Sequence, residues 1–158
     1  MGISMAMGAA LDPNRYQGPI TKTLTFAGGT GNAVGDHDGT GDPANLFTVT
    51  GDVVVRLIAV CTVDVAHAAN ATIEVGIGGG SQIIATTDLT AQELIAREIW
   101  HDATPDSEVE ATSTFKDFFI TDGNDIQLDC GVANVNSGSI LFYLYWYPVS
   151  SGALVVPA

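Results

Sequence analysis

Three groups of side chains in this sequence have the types and spacing to do chemistry. The first is Asp36-His37-Asp38-Gly39-Thr40-Gly41-Asp42. Aspartates at the first and third positions, with glycine and a further aspartate close by, suit a calcium loop, because a hard cation needs several convergent oxygens. The stretch departs from the EF-hand pattern: no third ligand at the fifth position, no glutamate at the twelfth, and no flanking helices. Asp36, Asp38 and Asp42 are the calcium candidates; a turn-rich loop carrying solubilising charge is the alternative.

The second group is His37, His67 and His101 with their acidic neighbours. No pair of histidines has the spacing of a local metal site. His101-Asp102 is half of a catalytic dyad by composition, but adjacent residues on an extended chain point opposite ways, and no GxSxG elbow is present. Asp106, Glu108 and Glu110 alternate, so on a strand all three would project from one face. Such a face could bind a cation or a sugar; it would equally protect a sheet edge. Cys61 and Cys130 lie on apolar stretches with no basic neighbour to lower a thiol pKa, so both read as core residues and not as nucleophiles. Gly28–Gly31 and Gly78–Gly80 lack the GxxxxGK[ST] phosphate cradle and read as turns. The expectation is therefore no enzyme, no catalytic residue, no cofactor, and no metal beyond the calcium candidates.

The third group is the aromatic ladder of Ser139–Tyr147 (SILFYLYWY). Ile140, Phe142, Leu144 and Trp146 share one face and are expected in the core. Tyr143, Tyr145 and Tyr147 share the other, where a tyrosine stripe can pack a subunit partner or stack a sugar. Packing between two sheets is the alternative.

These residues need elements to hold them, and the period is 2 almost throughout. Thr21–Phe26 reads as a first strand, then Phe47–Thr50 and Asp52–Thr62, the latter apolar on both faces like a central strand covered on two sides. Thr72–Ile77 and Gln82–Thr87 flank the triple-glycine turn. Ile95–Trp100, Ser107–Ala111, Asp117–Thr121 and Asp125–Cys130 follow, with Asp122-Gly123-Asn124 as a hairpin signal. Thr90–Arg97 is the only helical candidate. Eight or nine short strands separated by Gly, Asn and Asp turns predict an all-β fold, a Greek-key, jelly-roll-like β-sandwich first and an immunoglobulin-like sandwich second. The domain plan is an extended arm over 1–20, where Pro13 and Pro19 block regular structure, a β-sandwich over 21–148 with a Gly/Asp-rich loop at 28–43, and a tail over 149–158. Met5, Met7 and Leu11 of the arm, and Leu154, Val155 and Val156 of the tail, are apolar candidates for contact with a partner.

Composition narrows the function classes. The chain has 158 residues, 46% of them hydrophobic and 15% charged, with a formal net charge of -13. Hydrophobicity at that level excludes disorder. The five basic residues, Arg15, Lys22, Arg56, Arg97 and Lys116, are scattered singly. Phosphate contacts need clustered Lys and Arg, so neither nucleic acid nor anionic lipid is an expected partner. No run is long enough for a membrane helix. The N-terminal stretch lacks a basic n-region, so no secretion leader is expected.

Beyond these readings the body resembles a family. Phe47-Thr-Val-Thr-Gly-Asp-Val-Val-Val-Arg56 leads into a cysteine-bearing strand. Thr72-Ile-Glu-Val-Gly76, Glu98-Ile-Trp-His-Asp102 with Thr104-Pro105, and Ile140-Leu-Phe-Tyr143 with Trp146 and Pro148 follow. This order is similar to small virion structural proteins of tailed bacteriophages, over Leu46 to Pro148. The resemblance implies a capsid decoration, or cement, protein: a non-enzymatic β-rich homotrimer on the outer capsid surface, with the major capsid protein as partner. It carries no active site. A tail or neck protein of the virion and a carbohydrate-binding jelly-roll module are the alternatives.

Overall fold

The computed structural model describes residues 16–158. Ten strands form within them: β1 (Gln17–Thr25), β2 (Ala44–Thr50), β3 (Val53–His67), β4 (Thr72–Ile77), β5 (Ile84–Asp88), β6 (Ile99–Trp100), β7 (Phe118–Ile120), β8 (Ile126–Gly131), β9 (Val135–Pro148) and β10 (Leu154–Pro157). They build two antiparallel sheets. Sheet A runs β1-β9-β3-β6, with β7 also on β3; sheet B runs β10-β2-β8-β4-β5. The fold is an all-β sandwich, and successive strands cross repeatedly from one sheet to the other.

Alternation explains why the layers meet where they do. Successive strand side chains point to opposite faces. In β3 this buries Val53, Val55, Leu57, Ala59 and Cys61; in β9 it buries Ile140, Phe142, Leu144 and Trp146. Sheet B answers with Leu46, Phe47, Val49, Ile73, Val75, Ile126, Leu128 and Cys130 in the same core cluster. Burying each such aliphatic or aromatic side chain contributes roughly 1.5–3 kcal/mol. Trp100 fixes one end of the stack. Its indole N–H donates to the Thr87 hydroxyl at 2.8 Å, joining β6 of sheet A to β5 of sheet B. Cys61 and Cys130 are both buried and free.

Several elements differ from the sequence reading. The first strand begins at Gln17, inside the expected arm. Pro19 is tolerated because β1 is an edge strand whose register slips between Gln17 and Ile20, where no ladder N–H is required. The tail at 149–158 ends in a strand: β10 pairs with Phe47–Thr50 of β2 and buries Val155. Asp122-Gly123-Asn124 is not a hairpin, because β7 belongs to sheet A and β8 to sheet B. Ser107–Ala111 forms no strand, and Thr90–Arg97 forms turns without a helix. The Gly/Asp-rich loop lies against the start of β9. Gly28 N–H donates to the Val135 carbonyl at 3.0 Å, and Val135 N–H donates to the Gly35 carbonyl at 2.8 Å. A Cβ at Gly28 or Gly35 would run into backbone carbonyl oxygens, and Gly35 has φ +97°, so both positions need glycine.

Candidate interaction surface

The outer face of sheet A is built rung by rung from strand register. Thr23, Leu141, Val60 and Ile99 form one rung; Thr21, Tyr143 and Ile58 the next. Tyr145 and Arg56 form a third, and Tyr147, Val54 and Phe119 a fourth. Four rungs at about 6.8 Å per residue pair, over strands about 4.8 Å apart, give a patch of roughly 300 Å². The tyrosines and the β3 residues between them are half-buried by one another, whereas Phe119 is 58% exposed. The expected cover on both sides of β3 is thus half realised. One face is in the core; the other is shielded, among the described residues, by its own neighbours in the sheet and by Tyr16 and Phe115 at one side.

Tyr16 closes the patch at the β1 edge. Its ring packs edge-on against Tyr147 and Tyr145, with centroids 5.4 and 6.4 Å away. The Arg56 guanidinium lies over the Tyr16 ring at 5.2 Å, a favourable cation–π placement. Arg56 Nε donates to Asp117 Oδ1 at 2.8 Å, which neutralises the one cation of the patch among the described residues. The Tyr16 hydroxyl is closed off from solvent with no hydrogen-bond partner among the described residues. Burial first, and the nearby Asp117 carboxylate second, push its pKa up to about 12. Beside Tyr16 and Tyr145 opens a cavity of about 420 Å³, lined also by Arg56, Ile58, Thr112 and Phe115. The surface is therefore an aromatic and aliphatic platform with no net charge.

The other expected site residues distribute differently. Asp36 and Asp38 each bring a carboxylate oxygen within 4.8 Å of the other and of a His37 ring nitrogen, whereas Asp42 lies elsewhere. Asp36 is buried and accepts the Asn32 N–H at 2.7 Å, which braces the loop from within. Asp42 turns to β8, where both carboxylate oxygens accept the Cys130 N–H at 3.0 and 3.1 Å. Burial, and the charge of Asp129, raise the Asp42 pKa to about 7. Of the three calcium candidates only Asp36 and Asp38 lie together, with His37 and not Asp42 as the third group. His37 bonds Asn134, at 2.7 Å from Nδ1 to Oδ1, and His67 contacts the Ala68 carbonyl, so the three histidines do not meet. Asp106 and Glu110 turn towards His101, while Glu108 faces Arg97 at 3.4 Å. The three acids therefore do not share a strand face. Of the apolar candidates, Met5, Met7 and Leu11 lie outside the described residues. Val155 is taken by the chain's own core, which withdraws it as a partner contact, whereas Leu154 and Val156 are 50% and 40% exposed.

Tyr143, Tyr145 and Tyr147 fall where the ladder placed them, on the outer face. Sequence reasoning missed Tyr16 and the β3 half of the patch. The available signal was the second apolar face of β3, Val54, Ile58 and Val60, which needed a neighbour of matching character.

Fold and surface together define a two-sheet β-sandwich with one uncharged aromatic outer face. Compared with protein-family models, with curated proteins and with solved structures, the chain matches none.

Proposed function

We propose that this protein is a non-enzymatic structural subunit of a phage virion, which binds the outer surface of the capsid and cements the shell. The observation that carries the reading is the uncharged aromatic face of sheet A on a chain of net charge -13. Copies of so acidic a chain repel one another, and repulsion is weakest across a neutral face. Tyrosine-rich platforms are favoured interface centres. At roughly 300 Å² the patch is the centre of a contact, since a specific interface buries about 800 Å² per partner. The reading assigns this face to packing between copies in a homotrimer, and the arm and outer rim to the major capsid protein. Weak contacts repeated over a trimer dissociate slowly through multivalency. The sheet orders β1-β9-β3-β6 and β10-β2-β8-β4-β5 support assigning the sandwich to the jelly-roll class, in which eight strands divide between two sheets. The resemblance read from the sequence over Leu46 to Pro148 points to the virion role.

The test is addition of purified protein to capsids lacking it. The expected result is saturable binding and a rise in the temperature at which the shells open. Light scattering of the free protein should report a trimer, and Tyr143→Ala with Tyr145→Ala should abolish it. Protein that neither binds capsids nor changes their heat resistance would sink the reading.

A second reading, a carbohydrate-binding module, draws on the cavity beside Tyr16 and Tyr145, where an aromatic wall meets Arg56 and Thr112. A glycan array without hits, or hits unaltered by Tyr145→Ala, dismisses it.

A further inference from the structure

Between β6 and β7 the chain makes a long irregular excursion, residues 101–117, with only an isolated bridge from Asp106 to Ile99 and a short 3-10 turn at Thr112–Thr114. Loops of this length without strands or helices need something else to hold them. The side chain at its root is His101. Its imidazole is only 7% exposed and sits edge-on to Phe115, with ring centroids 5.6 Å apart.

Both ring nitrogens of His101 face carboxylates. Nε2 lies 2.7 Å from Asp106 Oδ2 and 3.7 Å from Glu110 Oε2; Nδ1 lies 3.6 Å from Asp102 Oδ2. Ionised carboxylates only accept hydrogen bonds, and a neutral imidazole has one N–H. One nitrogen of a neutral His101 therefore points its lone pair at acceptors. A cation on that side removes the conflict.

The carboxylates are themselves braced. Glu110 Oε1 accepts the Thr114 hydroxyl at 2.8 Å and the Ala111 N–H at 2.6 Å, leaving Oε2 facing the imidazole. These two donors hold the Glu110 carboxyl below its ordinary range. Asp102 Oδ1 accepts the Thr104 N–H at 2.7 Å and its hydroxyl at 2.8 Å. Burial pushes the Asp102 carboxyl up, but the Thr104 donors, His101 and Lys116 outweigh it and leave it below the ordinary range.

We propose that His101 Nε2, Asp106 Oδ2 and Glu110 Oε2 bind a zinc ion, which staples the 101–117 excursion to the end of β6. The three ligand atoms lie within 4.8 Å of one another. Zinc bonds of about 2.0–2.1 Å in a tetrahedron set ligand atoms about 3.3 Å apart. The observed 2.7 and 3.7 Å bracket that spacing. An imidazole joined to carboxylates favours zinc over calcium or magnesium, which prefer oxygen alone. Asp102 Oδ2 stands 3.6 Å from Nδ1, beyond hydrogen-bond distance but on the side where a carboxylate–histidine–metal arrangement places its acceptor. Phe115, which packs on His101, also lines the cavity beside Tyr16 and Tyr145, but none of the three ligands belongs to the tyrosine face, and the site's role does not rest on the virion reading.

The test uses the full chain, stripped with a chelator and titrated with zinc chloride against a chromophoric competitor. The expected result is one zinc per chain, with a rise in melting temperature on loading. His101→Ala and Glu110→Gln should each weaken zinc binding at least about tenfold. Glu108→Gln, which alters the acid facing Arg97, should leave it unchanged. So should Asp38→Asn in the separate Asp36, His37 and Asp38 group. Far-UV circular dichroism checks that each variant is folded; if His101→Ala unfolds, the less buried Glu110→Gln carries the test. Absence of zinc uptake would overturn the proposal and leave the His101 ring hydrogen-bonded to Asp106 alone. Uptake insensitive to Glu110→Gln, or lost in Asp38→Asn, would overturn it equally.

Discussion

The two sheets share one core and present opposite outer faces. Sheet A shows Val54, Ile58, Val60, Leu141 and three tyrosines, with its arginine neutralised by Asp117. Sheet B shows Thr72, Glu74, Gln127 and Asp129, with Glu74 and Asp129 paired across β4 and β8. Like charges directly opposite on a sheet are destabilising, and a sheet face carrying them is tolerable only in water. An antiparallel sheet can leave one face wet, and sheet B follows that rule. Sheet A keeps both faces largely apolar. The contrast sets a charged, polar wall against an aromatic and aliphatic one within a single fold.

The sharpest way to break the comparison is one residue wide. Val55→Asp places a charge in the core and should unfold the protein, with a loss above about 4 kcal/mol in urea denaturation. Val54→Asp, one position along, should cost less than about 1 kcal/mol of stability yet weaken assembly at least about tenfold. Equal stability losses would mean that the outer face of β3 is core in all but position. Next in size, Tyr143→Ala with Tyr145→Ala should weaken partner binding by about thirtyfold, on the order of 2 kcal/mol for a central anchor. Thr72→Ala with Gln127→Ala on sheet B should change it less than about twofold, read by the same binding titration.

A pH titration probes the wet wall. Asp42 sits at its edge with its pKa raised from 3.8 to about 7, by burial first and Asp129 second. The folded state holds that proton more tightly than the unfolded chain does. The stability it contributes is full below about pH 4 and is lost as pH rises through 7. Because Asp42 is half-exposed, the amount is on the order of 1–2 kcal/mol. Comparing urea midpoints of the parent and Asp42→Asn from pH 4 to 8 isolates it, since the difference between the two should grow across that window. A constant difference would remove the coupling to Asp129. The smallest expected effect is at the rim of the aromatic wall. Phe119→Ser should shift stability by less than about 0.5 kcal/mol while reducing self-association, seen by light scattering at high protein concentration.

The layered fold was legible where the period is clean. β3, β4 and β9 alternate over many residues, and the inner row of β9 was assigned correctly. What escaped was set by tertiary context. Leu154-Val155-Val156-Pro157 is too short to signal a strand until β2 offers it an edge. Pro19 argued against a strand that an edge position permits. Asp122-Gly123-Asn124 is good turn chemistry, and turn chemistry does not say which sheet the chain enters next. The tyrosine stripe was legible because it lies on one strand. Tyr16, Arg56 and Ile58 join it through register, which one strand's sequence does not carry. Asp106, Glu108 and Glu110 alternate as a strand would, but the backbone there is irregular, so His101 gathers two of them and Arg97 takes the third.

The two free cysteines lie one in each sheet, Cys61 on β3 and Cys130 on β8, and both are almost fully shielded. Burial pushes the Cys61 thiol up to about 11 and drives Cys130 higher still. Alkylating reagents attack the thiolate, so neither sulfur reacts while its sheet is closed. The chain thus carries a built-in pair of clocks. The labelling rate of each cysteine, resolved by peptide mass, times how often each half of the sandwich opens, and equal rates mean that the halves open as one.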